Sequence, residues 1–236
     1  DMKSVEPDPF FLEESKGMDM AEFDQQFKDE NIDAISSKIE KRDKIYGMSM
    51  SKGLIGYLVG HAVCEKHISS LDDVVSKYVP ETEQTIYKDA KIGDMINMSV
   101  GDQPIWNKTG YNLREYSALV IHGNPAKRKT VKEVSSSKPK TLPTDVGMFR
   151  YSNAVTDIIG RLLDIATPDG LAAFAHTYLA ESAGNKSDVF ILVDKNGWPL
   201  AHTFIYATRD DWMRMAIKIG EDWRSDSCIG EFLRQQ

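Results

Sequence analysis

Ser49-Met50-Ser51-Lys52-Gly53-Leu54-Ile55-Gly56-Tyr57-Leu58-Val59-Gly60-His61-Ala62-Val63-Cys64 is the most apolar helix candidate in this chain of 236 residues. Leu54, Ile55, Leu58, Val59, Ala62 and Val63 leave little polar face, and such a helix, running on to Lys66, is usually central to its domain. The run is too short to span a bilayer and contains His61. At its start stands a Ser-x-x-Lys. Positions three apart on a helix share a face, so the spacing predicts that Lys52 turns its amine back toward the Ser49 hydroxyl. An amine drawn out of water is more easily left neutral, and a neutral amine can take a serine proton. The helix start adds N–H groups and a positive dipole end, which suit an oxyanion. The bland reading of the same residues is an N-cap serine and a lysine reaching for the surface. Ser135-Ser136-Ser137-Lys138 has the same spacing by accident.

A second constellation follows about a hundred residues later. Phe149-Arg150-Tyr151-Ser152-Asn153 opens another apolar, periodic run, Asn153 to Ala166. A Tyr-x-Asn at a loop-to-helix junction presents a phenol and an amide together to a cleft. A phenol near an ammonium can act first as base and then as acid. The amide can hold a substrate carbonyl or the lysine. Against this stands a packed tyrosine followed by an asparagine N-cap.

Outward from these two runs, residues 1–18 read as an extended arm with Pro7 and Pro9. Residues 19–42 read as a helix, with Met20, Phe23, Phe27, Ile32, Ile35 and Ile39 on a charged background. A short helical stretch begins at Leu71-Asp72-Asp73 and ends before Pro80, and another helix is expected over Ile86 to Met98. Residues 101–110 form a loop with Pro104 and Trp106, and residues 123–147 a long excursion rich in Pro, Lys, Ser and Thr. A helix from Leu171 to Leu179 follows the Pro168-Asp169-Gly170 turn. Phe190-Ile191-Leu192-Val193 reads as a short strand before the turn Asp194-Lys195-Asn196-Gly197. Asp210 to Ile219 reads as a helix. No internal repeat or coiled-coil register is present.

The bulk numbers set limits. The length allows one large domain or two small ones. A hydrophobic fraction of 41% and a charged fraction of 28% are those of a globular protein. A formal net charge of -7 lacks the basic footprint of a nucleic-acid binder. The cluster Lys127, Arg128, Lys129 and Lys132 reads as a solvated loop. The two cysteines, Cys64 and Cys228, make no disulfide framework, and Cys64 reads as a small buried hydrophobe. The histidines show no metal-binding spacing. Asp1-Met2-Lys3-Ser4 lacks the apolar stretch of a signal peptide, although a cleaved exported protein would look the same.

Taken in order, several segments resemble the class C beta-lactamase and esterase family. They are Gly47-Met48-Ser49-Met50-Ser51-Lys52-Gly53 with its helix, His67 to Glu81, Ile92 to Gly101, which looks like a helix leading into a Met-Ser-x-Gly loop, and Tyr151-Ser152-Asn153. Gly197-Trp198-Pro199-Leu200-Ala201 and Tyr206-Ala207-Thr208-Arg209-Asp210 are more similar to the aminohexanoate-oligomer hydrolase branch. The resemblance implies an α+β fold, an antiparallel sheet with flanking helices plus a helical subdomain at roughly residues 80–185. Residues 1–45 would be an arm and helix, and 46–236 the catalytic region. It implies acyl transfer without metal or organic cofactor, with Ser49 as nucleophile and Lys52 and Tyr151 as proton carriers. Asn153, Gln103 and Trp106 would bind substrate. Family members are periplasmic or secreted by this resemblance, and the cytoplasm stays open.

Two departures shape the alternatives. The family carries a Lys/His-x-Gly strand after Tyr-x-Asn that this sequence lacks; Lys108-Thr109-Gly110 spells it, but ahead of Tyr151. Residues 31–46 match the family's leading hairpin poorly. The sheet is therefore expected to be incomplete, with its C-terminal strands missing. The expected partner is a small amide or ester substrate, with a second chain or missing segment to complete the sheet, no nucleic acid and no membrane span. The alternatives are a non-catalytic protein binding a ligand or partner in the same cleft, and half of a heteromeric hydrolase.

Overall fold

The structure is a computed structural model that describes residues 43–101, 130–136 and 146–235. Helix α1 (Met50–Cys64) is its centre. Leu58, Val59 and Ala62 are wholly buried. Each large aliphatic side chain taken out of water contributes roughly 1.5–3 kcal/mol. Two 3-10 turns, Val75–Lys77 and Pro80–Gln84, lead to the short α2 (Ile92–Ile96). Then come α3 (Val131–Ser136) and α4 (Asn153–Ala166), which packs on α1 and buries Ile158, Ile159, Leu162 and Leu163 in the core. Helix α5 (Gly170–Ala175) continues as a π turn over His176–Glu181.

The sheet described is small. Strands β1 (Lys44–Tyr46), β2 (Phe190–Ile191) and β3 (Ile205–Thr208) form an antiparallel sheet in the order β1-β3-β2. Tyr46 stands opposite Tyr206, and so does Phe190 on the other side. Alternating residues share a face, so the three rings line one side of the sheet. Helix α6 (Arg209–Arg224) leaves β3 directly, with the Thr208 hydroxyl accepting the Asp211 N–H as a cap. Helix α7 (Cys228–Gln235) folds back onto α1. Gly60 permits this contact: a Cβ there would stand 2.6 Å from Ile229 and Phe232.

This is the expected α+β architecture with an incomplete sheet among the described residues. Several local expectations change. Only Ile92–Ile96 of the run from Ile86 to Met98 is helical. Ahead of it the Ala90 carbonyl accepts the Val75 N–H, and Lys91 bridges Val74 with extended backbone. Those backbone groups are bonded across the chain and unavailable for a helical ladder. The stretch after Leu71 forms 3-10 turns, and α6 runs to Arg224, past Ile219. Cys64 and Cys228 are joined in a disulfide, with Cα atoms 5.9 Å apart. The reading of Cys64 as a buried free thiol is therefore corrected. The two cysteines are 164 residues apart, and only the return of α6 and α7 onto α1 brings them together. The helix expected over 19–42 lies outside the described residues.

Candidate active site

The chain enters α1 through a constrained turn. Gly47 donates its N–H to the Ile205 carbonyl of β3 at 2.9 Å. No side chain fits at this position, since a Cβ would stand 2.3 Å from the Trp212 ring. Met48 has φ of 46°, a left-handed backbone that a methionine rarely adopts. Strain of this sort costs of order 1–3 kcal/mol and gathers at functional sites. Ser49 comes next, at the N-cap position, yet its hydroxyl makes no capping bond. The Ser49 and Tyr151 hydroxyl oxygens are instead 2.6 Å apart, hydrogen-bonded to each other. An N-cap role for the side chain, the bland reading of Ser49, is thereby displaced.

Lys52 lies one turn along the same face. Its ammonium donates to the His202 carbonyl at 2.7 Å and reaches the Ser49 hydroxyl at 3.4 Å, the long edge of a hydrogen bond. It also lies 4.8 Å from the centre of the Tyr151 ring. Ser51, between them in sequence, is fully buried, so the helical register separates it from the exposed Ser49. The N–H groups of Met50, Ser51 and Lys52 bond the carbonyls of Gly47, Met48 and Ser49. The expectation that these three N–H groups wait unpaired for an oxyanion is not met. In the accidental Ser-x-x-Lys the buried Ser135 hydroxyl donates to the Val131 carbonyl, and Lys138 lies outside the described residues.

Tyr151 precedes α4, and the cap of that helix is Ser152, whose hydroxyl accepts the Val155 N–H. Asn153 is the first helical residue and is buried, so it is not the cap. Lys52 bonds Ser49 and His202, not the Asn153 amide. Gln103 and Trp106, and the Lys108-Thr109-Gly110 sequence, lie outside the described residues. Trp198 is buried with Arg161 over its ring, a packing role.

A cavity of about 30 Å³ lies beside Lys52, lined by Ile55, Gly56, Met95, Ile96, Met98, Thr156 and Ile159. That holds about two waters, at roughly 10–15 Å³ each. It is too small for an organic molecule, and Ser49 and Tyr151 are exposed outside it. Two residues that sequence reasoning missed stand behind Lys52. The carboxylate of Asp157 accepts both the backbone N–H and the ring Nδ1–H of His202 at 2.9 Å. A carboxylate one turn past Asn153 in an apolar helix was the available signal.

The chain as a whole matches known proteins. The Beta-lactamase family model matches residues 41–218, and the chain belongs to that family. It is similar in structure to a protein from Bacillus anthracis described as a 6-aminohexanoate-dimer hydrolase, with a TM-score of 0.66 and 17% identity over 81% of this chain and 52% of that one. It is also similar to a penicillin binding protein from Bacillus halodurans, with a TM-score of 0.61 and 12% identity over 83% of this chain and 67% of that one. A class C beta lactamase from Rhodobacter sphaeroides gives a TM-score of 0.55 and 14% identity over 83% of this chain and 57% of that one. The chain thus spans roughly half to two thirds of the length of these structures. No curated protein matches it. Among the described residues no helix is long and apolar enough to cross a membrane.

Proposed function

We propose that this protein is a serine hydrolase that cleaves small amides or esters through an acyl-serine intermediate. The observation that carries this is the 2.6 Å contact between the Ser49 and Tyr151 hydroxyls, with the Lys52 ammonium on both. The Tyr151–Lys52 pair, carrying one proton fewer than a phenol beside an ammonium, takes the Ser49 proton as Oγ bonds the substrate carbonyl carbon. The proton passes to the leaving amine or alkoxide as its bond to carbon breaks. Water then attacks the acyl carbon, its proton returns to Ser49 through the same pair, and the acid departs. The Ser49 backbone N–H serves as one oxyanion donor. Membership of the beta-lactamase family and the fold of its hydrolase members support the reading. The disulfide fits a protein that matures in an oxidising compartment.

A second reading has one observation in its favour. Both β1 and β2 are edges of the described sheet. Edge strands accept further strands, from the same chain or another, and on this reading full activity requires the completed sheet. The test of the main reading is intact-mass spectrometry with a fluorophosphonate. A single phosphonyl adduct on Ser49, absent in Ser49→Ala, is expected. A folded protein that takes no adduct overturns the hydrolase reading and leaves the cleft as a binding surface.

A further inference from the structure

Asp157 and His202 are buried to the last few per cent, and nothing in the proton transfer just described uses either. A carboxylate withdrawn from water is costly unless it is fully bonded. Asp157 meets that condition through a single residue. Oδ1 accepts the His202 backbone N–H at 2.9 Å, and both oxygens face the ring Nδ1–H at 2.9 Å. Residue 202 is thus gripped at its backbone and at its side chain by one acid. The segment is pressed onto the same helix one turn on, where a Cβ on Gly160 would stand 2.7 Å from Ala201. With its N–H and ring both fixed, the carbonyl of His202 has one direction left, and it accepts the Lys52 ammonium at 2.7 Å.

Three elements meet at this point. Asp157 is on α4, the helix that Tyr151 leads into; His202 precedes β3; Lys52 is on α1. We propose that Asp157 and His202 are positioning residues that hold the Lys52 amine against Ser49 and Tyr151. They touch no substrate. The inference rests on the reading of Ser49 as nucleophile for its relevance to catalysis, but the clamp itself is a matter of where the amine sits. The groups facing that amine are the Ser49 hydroxyl, the Tyr151 ring and the His202 carbonyl, with Asp157 behind the last.

The experiment compares the native protein with Asp157→Asn, His202→Ala and, as a control for plain helix packing, Ile158→Ala. Two rates are read on each: phosphonylation of Ser49, and modification of Lys52 by a succinimidyl ester across pH, located by peptide mass mapping. Loss of a carbonyl acceptor favours the neutral amine. Lys52 should therefore become reactive at lower pH in Asp157→Asn and, less strongly, in His202→Ala. Ser49 labelling should slow about 10- to 100-fold, as expected when a reacting group is misplaced. Ile158→Ala should lower stability and leave the Lys52 profile where it was. An unchanged Lys52 profile in Asp157→Asn overturns the clamp, and so does an equal displacement in Ile158→Ala, which would make the pair merely structural. Should the native protein fail to label at Ser49, the hydrolase reading falls, while the Lys52 profiles still decide the clamp.

Discussion

Two places along helix α1 set a tyrosine against a charged group, and the two are opposites. At its N-terminus Tyr151 is 41% exposed, bonded to the Ser49 hydroxyl, with an ammonium over its ring. Midway along it Tyr57 is 2% exposed and donates to the Asp222 carboxylate at 2.6 Å. Burial, and then the bond to Asp222 and its negative charge, push the Tyr57 phenol far above its ordinary range. Such a phenol cannot carry protons. Around it, His61 packs edge-on to Tyr57, and burial lowers its pKa to about 4 despite the opposing pull of Asp222. Burial alone would raise the Asp222 carboxyl, but hydrogen bonds from Lys218 and Tyr57 hold it below the usual carboxylate range. Beyond them the Cys64–Cys228 bond closes the C-terminal end of the helix. The lesson is that a phenol beside a carboxylate in the interior is a strut, and one beside an ammonium and a hydroxyl at the surface is available for chemistry.

Substitutions should separate the two ends. The largest effect is expected at the open end. Tyr151→Phe should slow phosphonylation of Ser49 by about 10²- to 10⁴-fold, the range for a lost general base, with the urea midpoint unchanged. A variant that labels at the native rate would remove Tyr151 from the proton path. At the closed end, replacing both Cys64 and Cys228 by Ser should cost about 2–5 kcal/mol in urea unfolding, given the long loop the bond closes. The labelling rate at Ser49 should stay the same, and a thiol titration that finds two free cysteines in the native protein would contradict the bond. Tyr57→Phe removes one donor from the buried Asp222 and should cost about 1–3 kcal/mol, again with unaltered labelling.

The smallest effect is the pH dependence of stability. The native state holds His61 neutral down to about pH 4, whereas the unfolded chain takes up that proton near pH 6.5. The unfolded state therefore binds more protons between these values, and stability falls as pH drops from about 6.5 to about 4. The depressed carboxyl of Asp222 adds a loss in the same direction at still lower pH. The partial exposure of His61 reduces the size of the effect. Urea midpoints across that window should fall less steeply in His61→Phe than in the native protein, and equal slopes would place the acid sensitivity elsewhere.

The sequence by itself determined the parts that rest on neighbours along the chain. The apolar run after Ser49 made α1 central, because burial follows from composition on all faces. The three-residue spacing of Ser49 and Lys52 set them on one face of that helix, because helical geometry is local. The resemblance of ordered segments carried the family, the α+β architecture and the incomplete sheet. What only the tertiary structure decided depends on residues far apart in the chain. Ser49 and Tyr151 are 102 residues apart, and their contact exists because α4 packs on α1. The grip of Asp157 on His202 and the pairing of Cys64 with Cys228 have no periodic signal at all. Each arises where a return of the chain, through β3 in one case and α7 in the other, meets a helix whose own pattern is silent about its partner.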